Sequence, residues 1–322
     1  MESTQHNRAA RPGHEPGREV SRRDLLKHTG LATAAAIGVP ALLAACTKTE
    51  QSGGGSGGGG LLDRIKKDGS IKVGFANEAP FGFRDKSGDL TGEAPALAGA
   101  IFKSMGVSKL EPVLAKSFDA LIPGLAAQQY DIIAAGMFIT PERCKQIAFT
   151  NPDYFGSNAF LVKKGNPAGI KTFAEVKTSG IKLGVLGGAV EKGYAQASGV
   201  PSGKIVTFPD QNAAFQGMLA GRVQAVALTS ASLRWTLAQN YPGKPLEVTA
   251  PFVPVVNGKE QPNFGGFGVR KGDTDLLNAF NAELKKMQAA NQVLPLIQRF
   301  GFTATDVNKA KTQTATALCQ AT

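Results

Sequence analysis

The chain has 322 residues, enough for one large or two medium domains, and its 42% hydrophobic and 19% charged residues are those of an ordinary globular protein. The formal charge of +11 is dispersed, without arginine–aromatic interleaving, so it reads as a solvated basic surface and nucleic acid is not an expected partner. All three histidines, His6, His14 and His28, lie near the N-terminus, so the body has no Ser-His or Cys-His nucleophile system and no His-ligated metal.

The first 45 residues read as an export signal rather than as part of the fold. Ser21-Arg22-Arg23-Asp24-Leu25-Leu26-Lys27 resembles a twin-arginine signal, with Leu25 where Phe is usual. A weakly apolar stretch follows and ends in Leu43-Ala44-Ala45-Cys46, which looks like a lipoprotein cleavage box. The alternative, a transmembrane helix, suits a stretch this short and interrupted by Gly38 and Pro40 less well. Cleavage before Cys46 removes six Lys/Arg and four Asp/Glu and leaves a formal charge of +9. Such a surface can attract anionic lipid or cell-wall polymers, but the favoured reading is a solvated basic surface. Apart from Cys46, the lipidation candidate, only Cys144 and Cys319 remain. Two thiols are too few for a Cys-rich zinc site, and in an oxidising compartment they are candidates for a disulfide. No metal or cofactor is expected. Residues 53–60 are Gly/Ser-rich and read as a flexible tether, since neither a preceding strand nor a following Lys-Ser/Thr supports a phosphate loop.

The body starts near Leu61. A strand is expected over 71–75, a helix over 93–105 stopped by Gly106, and a strand over 110–114. A helix capped by Ser117 runs to 128, followed by an apolar strand over 131–135. A helix then starts at Thr140-Pro141-Glu142. The pattern repeats with strand 181–186, a Gly187-Gly188 turn, helix 189–197, strand 204–208, helix 212–220 and strand 223–228. A long helix over 273–290 places Leu276, Phe280, Leu284 and Met287 on one face. Strands alternating with helices imply mostly parallel sheets, and two such units suggest two lobes with a cleft at their carboxyl strand ends.

Three segments follow strands of the first unit and converge on one edge: 77–83, Ser117-Phe118 and 136–143. They offer Glu78, Phe81, Phe83, Phe118, Gly136, Phe138 and Arg143. Arg143 is poorly placed for its own helix, because a cation in the first turn opposes the macrodipole. It becomes favourable when an anion sits there. Aromatic faces and Glu78 suit a cation. Together they describe a site for a small zwitterion carrying an organic cation and a carboxylate. Taken singly, each phenylalanine reads as core, Arg143 pairs equally well with a surface carboxylate, and Glu78 reads as solvated. The meaning lies in their joint placement. Gly187-Gly188 is read equally as an anion-approach turn or a simple tight turn.

These residues resemble the solute-binding proteins of amino-acid-type ABC transporters over roughly residues 71–302. Arg143, Phe149 and Tyr154, in Arg-x5-Phe-x4-Tyr spacing, are similar to that family's run into its first hinge. Asn77-Glu78-Ala79-Pro80-Phe81-Gly82-Phe83, Leu90-Thr91-Gly92-Glu93-Ala94-Pro95, Ala134-Ala135-Gly136-Met137-Phe138 and Pro141-Glu142-Arg143-Cys144 resemble its ectoine/hydroxyectoine-binding members (family 3). The resemblance implies a two-lobed α/β fold of type II, the lobes joined by a two-strand hinge near 155–157 and 263–266. It divides the chain into signal 1–45, anchored linker 46–60, lobe one 61–155 and 265–322, and lobe two 156–264. It implies a non-enzymatic, monomeric lipoprotein on the outer face of the cell membrane that hands ectoine or hydroxyectoine to an ABC permease. In that reading Phe81, Phe118 and Phe138 cage the ring, Glu78 faces the cation, Arg143 holds the carboxylate, and Gly188, Ala189 and Thr229 contribute from lobe two. The resemblance also implies that the C-terminal segment carrying Cys319 packs on lobe one, where Cys144 lies. The chain departs from the family at Thr229, where amino-acid binders carry Asp, which disfavours ordinary amino acids. It also has Ala189-Val190 where Ser or Thr is frequent. A binder of a polar or basic amino acid is the second reading, and a dehydratase with Glu78 as single acid the third, with no second carboxylate expected nearby.

Overall fold

The computed structural model describes residues 60–321, so the export signal, Cys46 and nearly all of the tether lie outside the described residues. The chain opens with α1 (Leu61–Asp68) and builds a first sheet from β1 (Ser70–Phe75), β2 (Lys109–Leu114), β3 (Ile132–Phe138), β4 (Ala148–Phe149) and β5 (Tyr154–Gly156). A second sheet follows from β6 (Asn158–Lys163), β7 (Leu183–Leu186), β8 (Ile205–Phe208), β9 (Ala225–Thr229) and β10 (Leu246–Val248). The chain then returns to the first sheet with β11 (Asn263–Val269).

The first sheet has the order β2-β1-β3-β11-β4, with β5 also on β11, and the second has β8-β7-β9-β6-β10. Three strands in each are parallel, as the alternating pattern requires. The rest are antiparallel, so the sheets are more mixed than the pattern implies. The reason is local: Ser157 alone separates β5 from β6, leaving no room for a helical crossover. The two passages between sheets lie side by side, with Asn263 opposite Gly156, Phe264 opposite Phe155 and Gly265 opposite Tyr154.

Helices cover the sheets where their apolar stripes allow. α2 (Glu93–Ser104) buries Leu97, Ala98, Ile101 and Phe102, and Gly106 at φ 84° follows its end. The long helix, Thr274–Ala289, buries Leu276, Phe280 and Leu284 completely, while Met287 stays half-buried. Phe280 packs on Phe102 and Phe267 of that core, with ring centroids 5.6 and 4.8 Å away. The expected helix after Ser117 is instead a 3-10 turn, Phe118–Ala120, running into a short helix, Leu121–Ala126. Ser117 makes no cap bond; its hydroxyl goes to the Asp119 carboxylate. Gly124 and Pro123 inside this segment shorten it. The helix at Pro141 is a single turn, Pro141–Cys144. Its last residue is bonded to Cys319 of the terminal helix Ala315–Cys319, with Cα atoms 5.7 Å apart.

Candidate functional site

The carboxyl end of β1 turns sharply. The Phe81 and Gly82 amides both donate to the Glu78 carbonyl, and the Glu78 amide donates back to Gly82. This turn sends Glu78 and the Phe81 ring to the same side. Phe81 lies against the end of β3, where only a glycine fits: Gly136 has φ 59°, and a Cβ there would stand 2.1 Å from the ring. Tyr154 fixes the same spot by donating to the Gly136 carbonyl at 2.7 Å, and its ring centroid is 5.4 Å from Phe81 and 6.0 Å from Phe138.

Arg143 is 9% exposed. Its Nη1 donates to the Phe138 carbonyl at 2.7 Å, and its Nη2 donates to Gly188 of the second lobe at 2.9 Å. Its guanidinium carbon stands 5.5 Å from the Phe118 ring centre. Two of five N–H donors are therefore engaged on carbonyls, and the fork keeps donors for a carboxylate. Burial lowers the Arg143 pKa, and Glu191 is foremost among the groups that oppose it. A helix of one turn has little macrodipole, so the anion preference here rests on the guanidinium.

Glu78, Phe81, Phe118, Gly136, Phe138, Arg143, Ala189 and Thr229 line one small cavity of ≈ 20 Å³, room for little more than a single water, together with Val190, Glu191 and Leu228. Gly188 stands beside it, offering its carbonyl to Arg143. Of the turn's amides, Gly187 donates to Phe208 and Ala189 to Leu186. Gly188 packs so closely on Asp119 that a Cβ would lie 2.6 Å from that side chain. Phe83 lies outside the cavity, against Trp235 and Phe300. Thr229 caps the helix Ser230–Asn240, its hydroxyl accepting from the Ser232 amide at 3.2 Å.

The cavity contains a carboxylate that sequence reasoning missed. Glu191 opens the helix Glu191–Ala197 in the second lobe, is 1% exposed, and accepts from Asn158 at 2.7 Å. Its Oε2 makes no hydrogen bond. Asn158 in turn accepts from Asn263 at 2.8 Å, and Tyr194 donates to Asn263 at 2.5 Å. This buried chain runs from the cavity to both passages between the lobes. The expectation of a single acid is thus corrected. Burial pushes Glu78 up to about 7, against the opposing pull of Ser232 and Arg143. Burial pushes Glu191 up to about 7 as well, with Glu78 reinforcing the rise.

This architecture has known relatives. Residues 71–303 match the model for bacterial extracellular solute-binding proteins, family 3. The chain belongs to this family. A probable amino-acid ABC transporter periplasmic-binding protein of Sinorhizobium fredii, y4tE, is 31% identical over 261 residues, 80% of this chain and 85% of that one. An L-arginine-binding protein of Pseudomonas aeruginosa is 31% identical over 71% of this chain and 86% of its own. Among solved structures, that of EhuB in complex with hydroxyectoine is similar with a TM-score of 0.73 and 32% identity, covering 81% of this chain and 98% of the other. As a family 3 protein, the chain is a two-lobed solute-binding component of an amino-acid-type ABC transporter, binding a small molecule for delivery to the permease. Among the described residues no helix is long and apolar enough to cross a membrane.

Proposed function

We propose that the protein captures ectoine or hydroxyectoine, small zwitterions that join a cyclic amidinium to a carboxylate. The carrying observation is the content of one cavity: a buried guanidinium, two buried carboxyls and the rings of Phe81, Phe118 and Phe138. Arg143 takes the carboxylate in a charge-assisted contact that contributes about 1.5–3 kcal/mol. The ring cation lies among the aromatic faces, each worth about 1–2 kcal/mol when desolvated, with Glu78 supplying the opposite charge. A delocalised amidinium is weakly hydrated, so aromatic faces replace its water at modest cost. The likeness to EhuB supports this reading.

Glu191 supports a second reading. It restores a negative group to lobe two where Thr229 had removed one, which suits the ammonium or guanidinium of a basic amino acid. The likeness to an L-arginine-binding protein points the same way. We propose binding rather than catalysis, in keeping with relatives named as binding proteins; product formed from prephenate or arogenate would contradict this.

A thermal-shift screen separates the readings. A ligand that binds only the folded state raises the melting temperature according to its concentration over Kd. Ectoine and hydroxyectoine should raise it strongly, and glycine betaine, proline and arginine should not. A shift with arginine alone overturns the ectoine assignment in favour of the second reading.

A further inference from the structure

Glu78 belongs to the first lobe, yet its hydrogen-bond donor belongs to the second. Ser232, on the helix Ser230–Asn240, places its hydroxyl 2.8 Å from Glu78 Oε1 and 3.2 Å from the Ala79 carbonyl. Among the described residues no other side chain hydrogen-bonds that carboxylate. Behind Ser232 stands Gln211, the first residue of the helix Gln211–Leu219. Its amide nitrogen lies 2.5 Å from Ser232 Oγ and 2.8 Å from the Ala79 carbonyl.

The glutamine amide nitrogen also lies 3.1 Å from the Ser232 carbonyl, so its two N–H donors are shared among three acceptors. The Ser232 hydroxyl has one proton, and its contact with Glu78 Oε1 at 2.8 Å is shorter than that with the Ala79 carbonyl at 3.2 Å, which favours donation to the carboxyl. Ser232, Gln211 and Glu78 are all buried, so the relay works in a low-dielectric setting where a misplaced donor is costly. Ser232 is itself held by Thr229, the cavity residue that caps its amide. One turn further along the same helix, Trp235 packs on Phe83 and Phe300 of the first lobe, with ring centroids 6.1 and 5.9 Å away. A single helix of lobe two thus reaches both the rim of the cleft and the acid inside it.

We propose that Ser232, set by Gln211, is a positioning residue for the cation end of the cavity: it completes the Glu78 subsite only when the two lobes are shut on each other. This rests on the reading that Glu78 faces the ligand's cation. Cation recognition is thereby tied to closure, because an open cleft leaves Glu78 without its donor. The charged and titratable groups that face Glu78 are Arg143, Glu191 and Tyr154, and none of them replaces the Ser232 hydroxyl.

The test compares wild type with Ser232→Ala, Ser232→Thr and Gln211→Ala. Affinity for ectoine, hydroxyectoine and L-arginine is titrated between pH 5.5 and 8.5, and Trp235, the only tryptophan, reports closure by fluorescence. Circular dichroism checks folding. For whichever probe binds wild type, Ser232→Ala is expected to lose about tenfold or more in affinity. Its pH midpoint should move upward, because the ionised Glu78 has lost a donor. Gln211→Ala should fall between, and Ser232→Thr, which keeps the hydroxyl, should recover affinity and midpoint together. A folded Ser232→Ala with wild-type affinity and midpoint overturns the proposal while leaving the ligand reading intact. Wild type that binds none of the three probes overturns that reading, and this proposal with it.

Discussion

Glu78 and Glu191 share one buried cavity, and burial holds both carboxyls at about 7. A bound cation favours their ionised forms, so it lowers both pKa values and expels the protons they carry. Two consequences follow by linkage. Binding near pH 6.5 should release protons, and affinity should fall as pH drops below 7 and level off above it. Titration calorimetry in two buffers of different ionisation enthalpy reads this directly; identical heats in both would contradict it. The two acids differ in how visible they are in the sequence. Glu78 sits in a turn after a strand among aromatic residues. Arg143 is visible because it is wrong for its helix, and the structure places it at the cavity wall. Glu191 opens a helix, where an acid is simply favourable, so nothing marks it as unusual. Ser232 and Gln211 reach Glu78 and Ala79 across 154 and 132 residues of sequence, a relation no local pattern carries.

Alternating strands and helices were legible because each buries its own stripe, and ten expected segments reappear with shifted ends. The short antiparallel strands Ala148–Phe149 and Tyr154–Gly156 were not, because they depend on pairing with a strand more than a hundred residues away. The turn that carries Arg143 is short, and its last residue is tied to the C-terminal helix through Cys144 and Cys319. That bond closes a loop with a sequence separation of 175, for which chain entropy gives up to roughly 5 kcal/mol. The double variant Cys144→Ser/Cys319→Ser should melt at a lower temperature than wild type. Alkylation of unreduced, natively exported protein should find neither of these thiols, and detection of both by mass spectrometry would refute the pairing.

Taken whole, the protein presents a cavity between two lobes, with Arg143 of one bonded to Gly188 of the other and Glu78 of one bonded to Ser232 of the other. The family was legible from long segments around these residues, whereas ligand choice was not, since it turns on Glu191 and on cross-cleft geometry. We propose that the body is tethered outside the cell by lipid on Cys46, on the strength of Leu43-Ala44-Ala45-Cys46 following a twin-arginine segment. Fractionation of cells expressing Cys46→Ala tests this, and unchanged membrane attachment of a fully processed protein would refute the anchor. We propose that Arg143 and the aromatic cage together hold a zwitterionic ring. Titration calorimetry of wild type and Arg143→Ala with ectoine tests it most directly. Wild type should bind, and the folded variant should lose about one to two orders of magnitude in affinity. No heat of binding with wild type, or equal affinity in both proteins, would contradict it.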